Sequence, residues 1–524
     1  VAADTHVRRY RWLGRLIVTG LFAALLGGCA LPSQEGRKAS ASLPQAEADA
    51  TALGQAIAPR VAQHPGLAGI HPLADAYDAF AARMLLARAA QRTLDVQYYI
   101  WHGDITGTLL FEALHQAADR GVRVRLLLDD NGTAGLDATL AALAQHPNIE
   151  VRLFNPFVVR RPKVIGYLTD FKRLNRRMHN KSFTADNQAT ILGGRNIGDE
   201  YFGATDGVLF ADLDVLAVGP VAQEVSSDFD RYWNSISAYP VERILPAAPA
   251  GELDRLARSA QGVERDPKAD AYMQALARTP LVRRLLQGDL PLEWSPARMV
   301  SDDPAKVLDQ ARPDGLLAHQ LKEIIGEPRS HVDLVSPYFV PTAQGTAAFA
   351  QMASGGVRVR VLTNALEATD VSVVHSGYAK YRKDLLASGV QLFEMRRAGD
   401  DVQRSRGLGP FGSSGSSLHA KTFAVDDRSI FVGSFNFDPR SAHLNTELGL
   451  VIDSPPLARA ISHTFDTRIP ADAYHVLLDE NGGLYWLEPA ADGTFIRHDN
   501  EPGASLWQRL SVWFLSLLPI ESLL

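Results

Sequence analysis

The 524-residue chain has a single cysteine, Cys29, which excludes an internal disulfide. It also lacks a comfortable membrane span. The apolar stretch LIVTGLFAALL, from Leu16 to Leu26, is eleven residues long, short of the roughly 20 a spanning helix needs. There is no basic excess either: 53 Lys and Arg stand against 59 Asp and Glu, a net charge of -6. That argues against a protein built to hold a long polyanion. A disordered composition is missing too, since 46% hydrophobic and 21% charged residues describe an ordinary globular protein. The length predicts two to four domains.

What is present begins with the cysteine's context. Arg8, Arg9, Arg11 and Arg15 precede the apolar run, and Gly27-Gly28-Cys29 follow it. A positive segment, a short apolar run and small residues make an export signal. The alternative is an uncleaved signal anchor with an incidental Cys. LGGC resembles the bacterial lipoprotein box, which implies a lipid on Cys29. The expected location is the bacterial cell envelope, with the protein anchored as a lipoprotein facing the periplasm. Ala30 follows the Cys, and the absence of Asp there leaves inner and outer membrane both open.

Two nineteen-residue stretches answer one another, MHNKSFTADNQATILGGRN from Met178 and LHAKTFAVDDRSIFVGSFN from Leu418. Each carries His, Lys two residues later, Asp seven later, then Gly and Asn. Five such matches arise by chance on the order of once in ten thousand trials. The repeat extends outward, with offsets of 238 from Asp95 to Asp333, 235 from Val122 to Val357 and 240 from His179 to His419. Strand, helix and strand follow one another in both copies, so the fold class is α/β, built from one duplicated unit with crossover connections.

On a strand, His179 and Lys181 share a face, as do His419 and Lys421. Asp186 and Asp426 fall on the opposite face and brace the fold. Two imidazoles, two ammoniums and two amides around one pocket suit a phosphodiester. Lys181 and Lys421 neutralise the non-bridging oxygens, while Asn196 and Asn436 donate to them. One neutral imidazole attacks phosphorus and the other, protonated, serves the leaving alkoxide. Neither copy holds both roles, so the duplication builds one site from two half-sites. Each imidazole needs an acceptor for its second nitrogen. Glu447 and Glu200 are the expected orienters, with Asp199 a rival for Glu200. A metal centre is the competing reading of a chain with 15 His; Lys and amides are poor ligands for it, so no metal is expected.

These residues resemble the signature of the phospholipase D superfamily, His-x-Lys-x4-Asp-x6-Gly-x2-Asn in two copies. The match is full at His179, Lys181, Asp186, Gly193 and Asn196, and again at His419, Lys421, Asp426, Gly433 and Asn436. One small departure is Gly194, where the second copy has the commoner Ser434. The resemblance implies two phospholipase D-like α/β/α sandwich domains forming one active site at their interface. It also implies a phosphohistidine intermediate, with His179 as nucleophile, and no cofactor. GGRNIGDEYF, FNFDPRSAHLNTELGLVI and the ending LLPIESLL are similar to bacterial cardiolipin synthases, the C-type branch above all. That branch implies phosphatidyl transfer to phosphatidylglycerol.

The expected layout is an export signal over 1–29, a tether over 30–60 and the first domain over 61–245. A helical connector spans 246–320 and the second domain 321–475. A β-hairpin appendage over 476–503 and an apolar interfacial helix over 504–524 complete it, the alternative for the last being a terminal helix docked on the core. The partner is a phospholipid bilayer, with phosphatidylglycerol and phosphatidylethanolamine as candidate substrates and no nucleic acid. A phospholipase D hydrolase releasing phosphatidic acid, a nuclease and a non-catalytic lipoprotein scaffold are the alternatives. Arg160, Arg161, Lys163, Lys172, Arg173, Arg176 and Arg177 form a basic run before the first motif. It reads as a solvated face, as a recruiter of anionic headgroups or, under the nuclease alternative, as a nucleic-acid contact.

Overall fold

The β-branched and aromatic residues of TLDVQYYI form a strand, and the matching segment His331–Val335 of the second half does the same. A computed structural model describes residues 31–203, 212–369, 371–397, 418–490 and 492–524. Cys29 and the export signal expected over 1–29 lie outside the described residues. The first half supplies β1 (Ala68–Leu73), β2 (Thr93–Ile100), β3 (Arg123–Gly132), β4 (Ile149–Phe154) and β5 (Ser182–Ala185). Then come β6 (Ala189–Gly193), β7 (Asp214–Val218), β8 (Ala238–Pro240) and β9 (Glu293–Ser295). The second supplies β10 (Ala297–Ser301), β11 (His331–Val335), β12 (Arg358–Asn364), β13 (Gln391–Met395) and β14 (Thr422–Val425). It continues with β15 (Ser429–Gly433), β16 (Leu448–Asp453), β17 (Ala473–Leu478), β18 (Leu484–Pro489) and β19 (Phe495–His498).

The first sheet runs β8-β4-β3-β2-β5-β6-β7-β1-β9, and the second β10-β16-β15-β14-β11-β12-β13-β17-β18-β19. Read in the same sense, the two share an eight-strand order: β17-β13-β12-β11-β14-β15-β16-β10 repeats β8-β4-β3-β2-β5-β6-β7-β1. In each, three neighbours are parallel and the rest antiparallel. The parallel steps need crossovers, supplied by the helices Ile105–Asp119 and Thr342–Ser354. Leu126 and Leu128 of β3 face one cluster and Leu127 the other, so the strand is apolar on both faces. A further cluster joins the halves, with Leu192, Val215 and Ala217 from the first packing with Ile430, Val432 and Leu450 from the second. The motif hairpins β5–β6 and β14–β15 are thereby held against one another.

Three parts of the expected layout need correcting. The segment read as a tether over 30–60 is docked: Arg37 donates to the carbonyls of Asn234, Ser235 and Ala238, and Arg243 reaches back to those of Ser33 and Glu35. Helices Gln45–Asp49 and Ala52–Gln63 follow, the second capped by Thr51 and burying Leu53 and Ile57. Small residues conceal this, because their fixing comes from distant Arg side chains. The connector over 246–320 is helical only in part. Its β9 pairs with β1 and its β10 with β16, so a few residues around Pro296 stitch the two sheets together. The hairpin at Asn481-Gly482 is present, but its first strand, β17, pairs with β13 and belongs to the shared sheet rather than to an appendage.

Candidate active site

Each motif begins just before its strand. β5 starts at Ser182 and β14 at Thr422, so His179, Lys181, His419 and Lys421 lie on the approach, not inside a strand. What holds them is a pair of side chains, one in the second half of β3 and one at the end of β12. Asp129 accepts from the Met178 backbone N–H at 2.8 Å, and Asn364 accepts from that of Leu418 at 3.1 Å. The two lie 235 residues apart, the offset of the strands that carry them. Each Lys Nζ donates to the backbone carbonyl of its own motif His.

Asp186 and Asp426 sit at the tips of the motif hairpins with positive φ, 51° and 55°. Asp186 accepts from the backbone N–H groups of Gln91, Arg92 and Thr93, and Asp426 from those of Arg329, Ser330 and His331. Their work is to fix the entry to β2 and β11. Gly193 and Gly433 are required by close approach. A Cβ would come within 2.3 Å of Asp214 Oδ1 at the first and 2.4 Å of the Leu448 carbonyl at the second.

The imidazoles are oriented across the domain interface. His179 Nδ1 lies 2.8 Å from Glu447 Oε2, and His419 Nδ1 lies 2.7 Å from Asp212 Oδ2. Glu447 sits where the residues predicted it. Glu200 does not: its carboxylate oxygen is 3.2 Å from His102 Nδ1. Asp199 instead accepts from the backbone N–H of Thr106 at 2.8 Å. The orienter of His419 is Asp212, which spacing from Asn196 concealed. Asn436 to Glu447 is 11 residues and Asn196 to Asp212 is 16, because the first half carries five more before its next strand. Sheet register reveals the equivalence. Gly433 faces Gly449 and Gly193 faces Asp214, so each acceptor lies two residues before the partner of the motif Gly. The signal available in the sequence was DLDVL answering ELGLV.

Further positioning groups escaped the sequence reading. Ser434 Oγ donates to Glu447 Oε2, Ser441 Oγ donates to its Oε1 at 2.9 Å, and the Glu447 N–H donates to Asp302 Oδ2 at 2.9 Å. Gly194, the counterpart of Ser434, has a different reason. A Cβ there would meet Asp212 Oδ1 at 2.1 Å. Tyr99 and Tyr201 stand edge-on to His179 and His419, both with ring centroids 5.0 Å away. His102, Asp104 and Glu200 bring ligand atoms within 4.8 Å of one another. Asp104 is already engaged there, capping the helix that starts at Ile105 and accepting from the Asp199 N–H.

Burial and the lysines set the charge states. Burial, then Lys421, holds the His419 imidazole down at about 3. His179 is held well below the ordinary range by burial and then by Lys181 and Lys421. Lys181 is itself lowered by burial and by the charge of Lys421. The two acceptors differ. Burial raises Glu447 to about 7. It works against the Asp212 anion too, but His419, Lys421 and Arg195 bring that group to about 2. Arg195 donates to the Asp212 carbonyl, and the residue at its place in the second motif is Phe435. Burial and the lysines thus favour the neutral imidazoles, and negative charge placed between the lysines works in the opposite direction.

The basic run before His179 is mostly turned inward, a further correction. Arg177 pairs with Asp129, Arg160 with Asp130 and Asp137, and Lys163 with Asp130. Arg173 pairs with Asp170, while Arg176 donates to the Lys306 carbonyl. These cations hold the approach to the first motif in place instead of forming a solvated face.

The sequence family described as cardiolipin synthase, phospholipase D-like domain, matches residues 85–233 and 321–469. Cardiolipin synthase C of Escherichia coli K12 is 49% identical over 473 residues, covering 90% of this chain and 99% of that protein. Cardiolipin synthase B of the same organism is 25% identical over 387 residues, covering 74% and 77%. Phosphatidylserine synthase of Haemophilus influenzae Rd KW20 shares the fold, with a TM-score of 0.55 at 14% identity over 89% of this chain and 99% of that one. Two matched domains, two intact motifs and one nearly full-length relative place the chain in the cardiolipin synthase family of phospholipase D-like proteins.

Proposed function

We propose that this chain is a phosphatidyltransferase that makes cardiolipin through a phosphohistidine. The observation that carries this is the crossed pair of contacts, His179 to Glu447 and His419 to Asp212. With its Nδ1–H given to Glu447, His179 offers the Nε2 lone pair to phosphorus. The P–N bond forms as the bond to the headgroup oxygen breaks, and His419 gives its proton to that oxygen. The anionic Asp212 favours His419 for this role, because it stabilises the imidazolium. In the second step His419 takes the proton from an acceptor hydroxyl, whose oxygen displaces His179 from phosphorus. Lys181 and Lys421 hold the non-bridging oxygens through both steps, with Asn196 and Asn436 as amide donors.

The acceptor we assign is the headgroup glycerol of phosphatidylglycerol, and the donor a second phospholipid such as phosphatidylethanolamine. The name of the 49% identical relative supports this substrate class. We place the protein at a membrane facing the periplasm, held by a lipid on Cys29; the sequence pattern around that residue supports it. Among the described residues no helix is long and apolar enough to cross a membrane. The test is purified protein on vesicles of phosphatidylglycerol and phosphatidylethanolamine, with products resolved by mass spectrometry. Cardiolipin is expected from the wild type and none from His179→Ala or His419→Ala. Phosphatidic acid as the sole product would make this a hydrolase; untouched lipid with cleaved single-stranded DNA would make it a nuclease.

A further inference from the structure

Two helices, one from each half, carry exposed apolar faces. On Val164–Leu174, the residues Val164, Ile165, Leu168 and Phe171 are exposed, Leu168 by 86%. Val164, Ile165 and Leu168 share one face of the first turns by their spacing, and Phe171 follows a kink at Asp170. On Leu506–Ser516 and the turn after it, Leu506, Trp507, Leu510, Trp513, Phe514 and Leu517 are exposed, Trp507 by 78%. Folding alone does not account for leaving so many large apolar groups in water.

Both helices lead to one residue. Asn175, directly after the first helix, accepts from Arg440 Nη1 through its carbonyl at 2.8 Å. Leu524, at the end of the segment that follows the second helix, accepts from the Arg440 N–H at 2.6 Å. Arg440 belongs to the helical turn Pro439–His443, which lies in sequence between Asn436 and Glu447 of the candidate site. The apolar faces therefore belong to elements fastened on either side of the active-site loop.

We infer that the two helices form one docking surface, and that its occupant is the surface of a phospholipid bilayer. The inference rests on the lipid-transfer reading above. Charge favours a bilayer over a second copy of the chain. On the first helix Lys172 pairs with Asp309 and Arg173 with Asp170, which leaves Arg161 exposed at its start, and 505–520 contain Arg509 and no acidic residue, in a chain of net charge -6. Such a surface attracts anionic headgroups, whereas two copies of it would repel. The size also fits. Eleven residues make a helix about 16 Å long, too short to span a bilayer and suited to lie in its interface. Trp507 and Trp513 combine an apolar body with an N–H donor, the character favoured at that depth.

The test is sedimentation of full chain carrying Cys29→Ser, so that no acyl anchor contributes, with phosphatidylcholine vesicles with and without phosphatidylglycerol. Leu168→Glu with Phe171→Glu, and separately Trp507→Glu with Trp513→Glu, should each weaken partitioning at least tenfold. Trp507→Leu with Trp513→Leu should retain most of it. Melting temperatures guard against misfolding, and quenching of wild-type tryptophan by brominated lipid gives a readout that needs no variant. Unchanged partitioning in both Glu pairs, or absent quenching, overturns the inference. So does a wild-type dimer in solution that the Glu variants split. Because partitioning is measured without turnover, a wrong assignment of the reaction leaves a binding result intact and shows instead in the product analysis.

Discussion

Glu447 belongs to the second half of the chain, yet its Oε2 lies 2.8 Å from Nδ1 of His179 in the first. Asp212 and His419 repeat the relationship in the opposite direction. Each half thus supplies an imidazole for which the other supplies the acceptor. Replacing either acceptor by its amide keeps the shape and removes the charge that selects the tautomer. Glu447→Gln and Asp212→Asn should each lower kcat by roughly 10²- to 10⁴-fold with little change in melting temperature. Glu200→Gln should cost far less. If the Glu200 variant loses as much as the Asp212 variant, Asp212 is not the orienter.

Gly194 and Ser434 occupy the same motif position under opposite constraints. Ser434 supplies a hydroxyl to Glu447, whereas Gly194 leaves room for the Asp212 carboxylate. Ser434→Ala removes one hydrogen bond of a carboxylate that keeps Ser441, so a fall of about tenfold is expected. Gly194→Ala drives a methyl into Asp212 and should cost more than Asp212→Asn, since it displaces the group as well as its charge. Steady-state kinetics on both variants decide it; equal activities would mean that Asp212 moves aside freely.

Much of this arrangement is legible in the sequence. Two copies of five residue types state the duplication directly, and with it the meeting of two His-Lys pairs across one interface. Glu447 was readable because only eleven residues separate it from Asn436. Asp212 was not, since counting from a motif fails when the intervening loop differs in length between copies. Sheet register is indifferent to loop length and recovers the match. The docked segment after Cys29 was hidden for a related reason. Its fixing comes from Arg37 meeting backbone carbonyls some 200 residues away, a contact that leaves no local pattern. The basic run misled in the other direction, because charge count cannot tell a solvated cation from one turned toward a buried Asp.

Lys421 bears on the acidity of His419 as well as on the phosphate. After burial, its charge is the next cause of the lowered imidazole pKa of about 3. Removing a neighbouring cation favours the imidazolium, so Lys421→Met should raise the pKa of His419 toward 6.5. Stability follows with a definite sign. Between about pH 6.5 and 3 the unfolded chain binds a proton at His419 that the folded chain refuses, so acidification through that window destabilises the wild type. The variant should lose less stability over the same window. Imidazole titration by NMR checks the first statement and urea unfolding between pH 7 and 4 the second. An unshifted His419 in the variant would leave burial and Lys181 as the causes of its low pKa.

The anchoring proposal has a geometric consequence. If Cys29 becomes the lipidated N-terminus, Ala30, Leu31 and Pro32 are all that separate it from Ser33, whose carbonyl is held by Arg243. Four residue steps reach at most about 14 Å, so the acyl chains enter the bilayer close to the edge formed by Asn234 to Arg243. Cys29→Ser should abolish radiolabelled acyl incorporation and accumulate unprocessed precursor. Arg37→Ala with Arg243→Ala should leave the label intact and free the segment, lengthening the leash. Limited proteolysis between Ser33 and Pro44 should then cut the double variant at least tenfold faster than the wild type, because an extended segment without its carbonyl partners is open to a protease. Equal labelling of Cys29→Ser would remove the anchor; equal cleavage would show that Arg37 and Arg243 do not pin the segment.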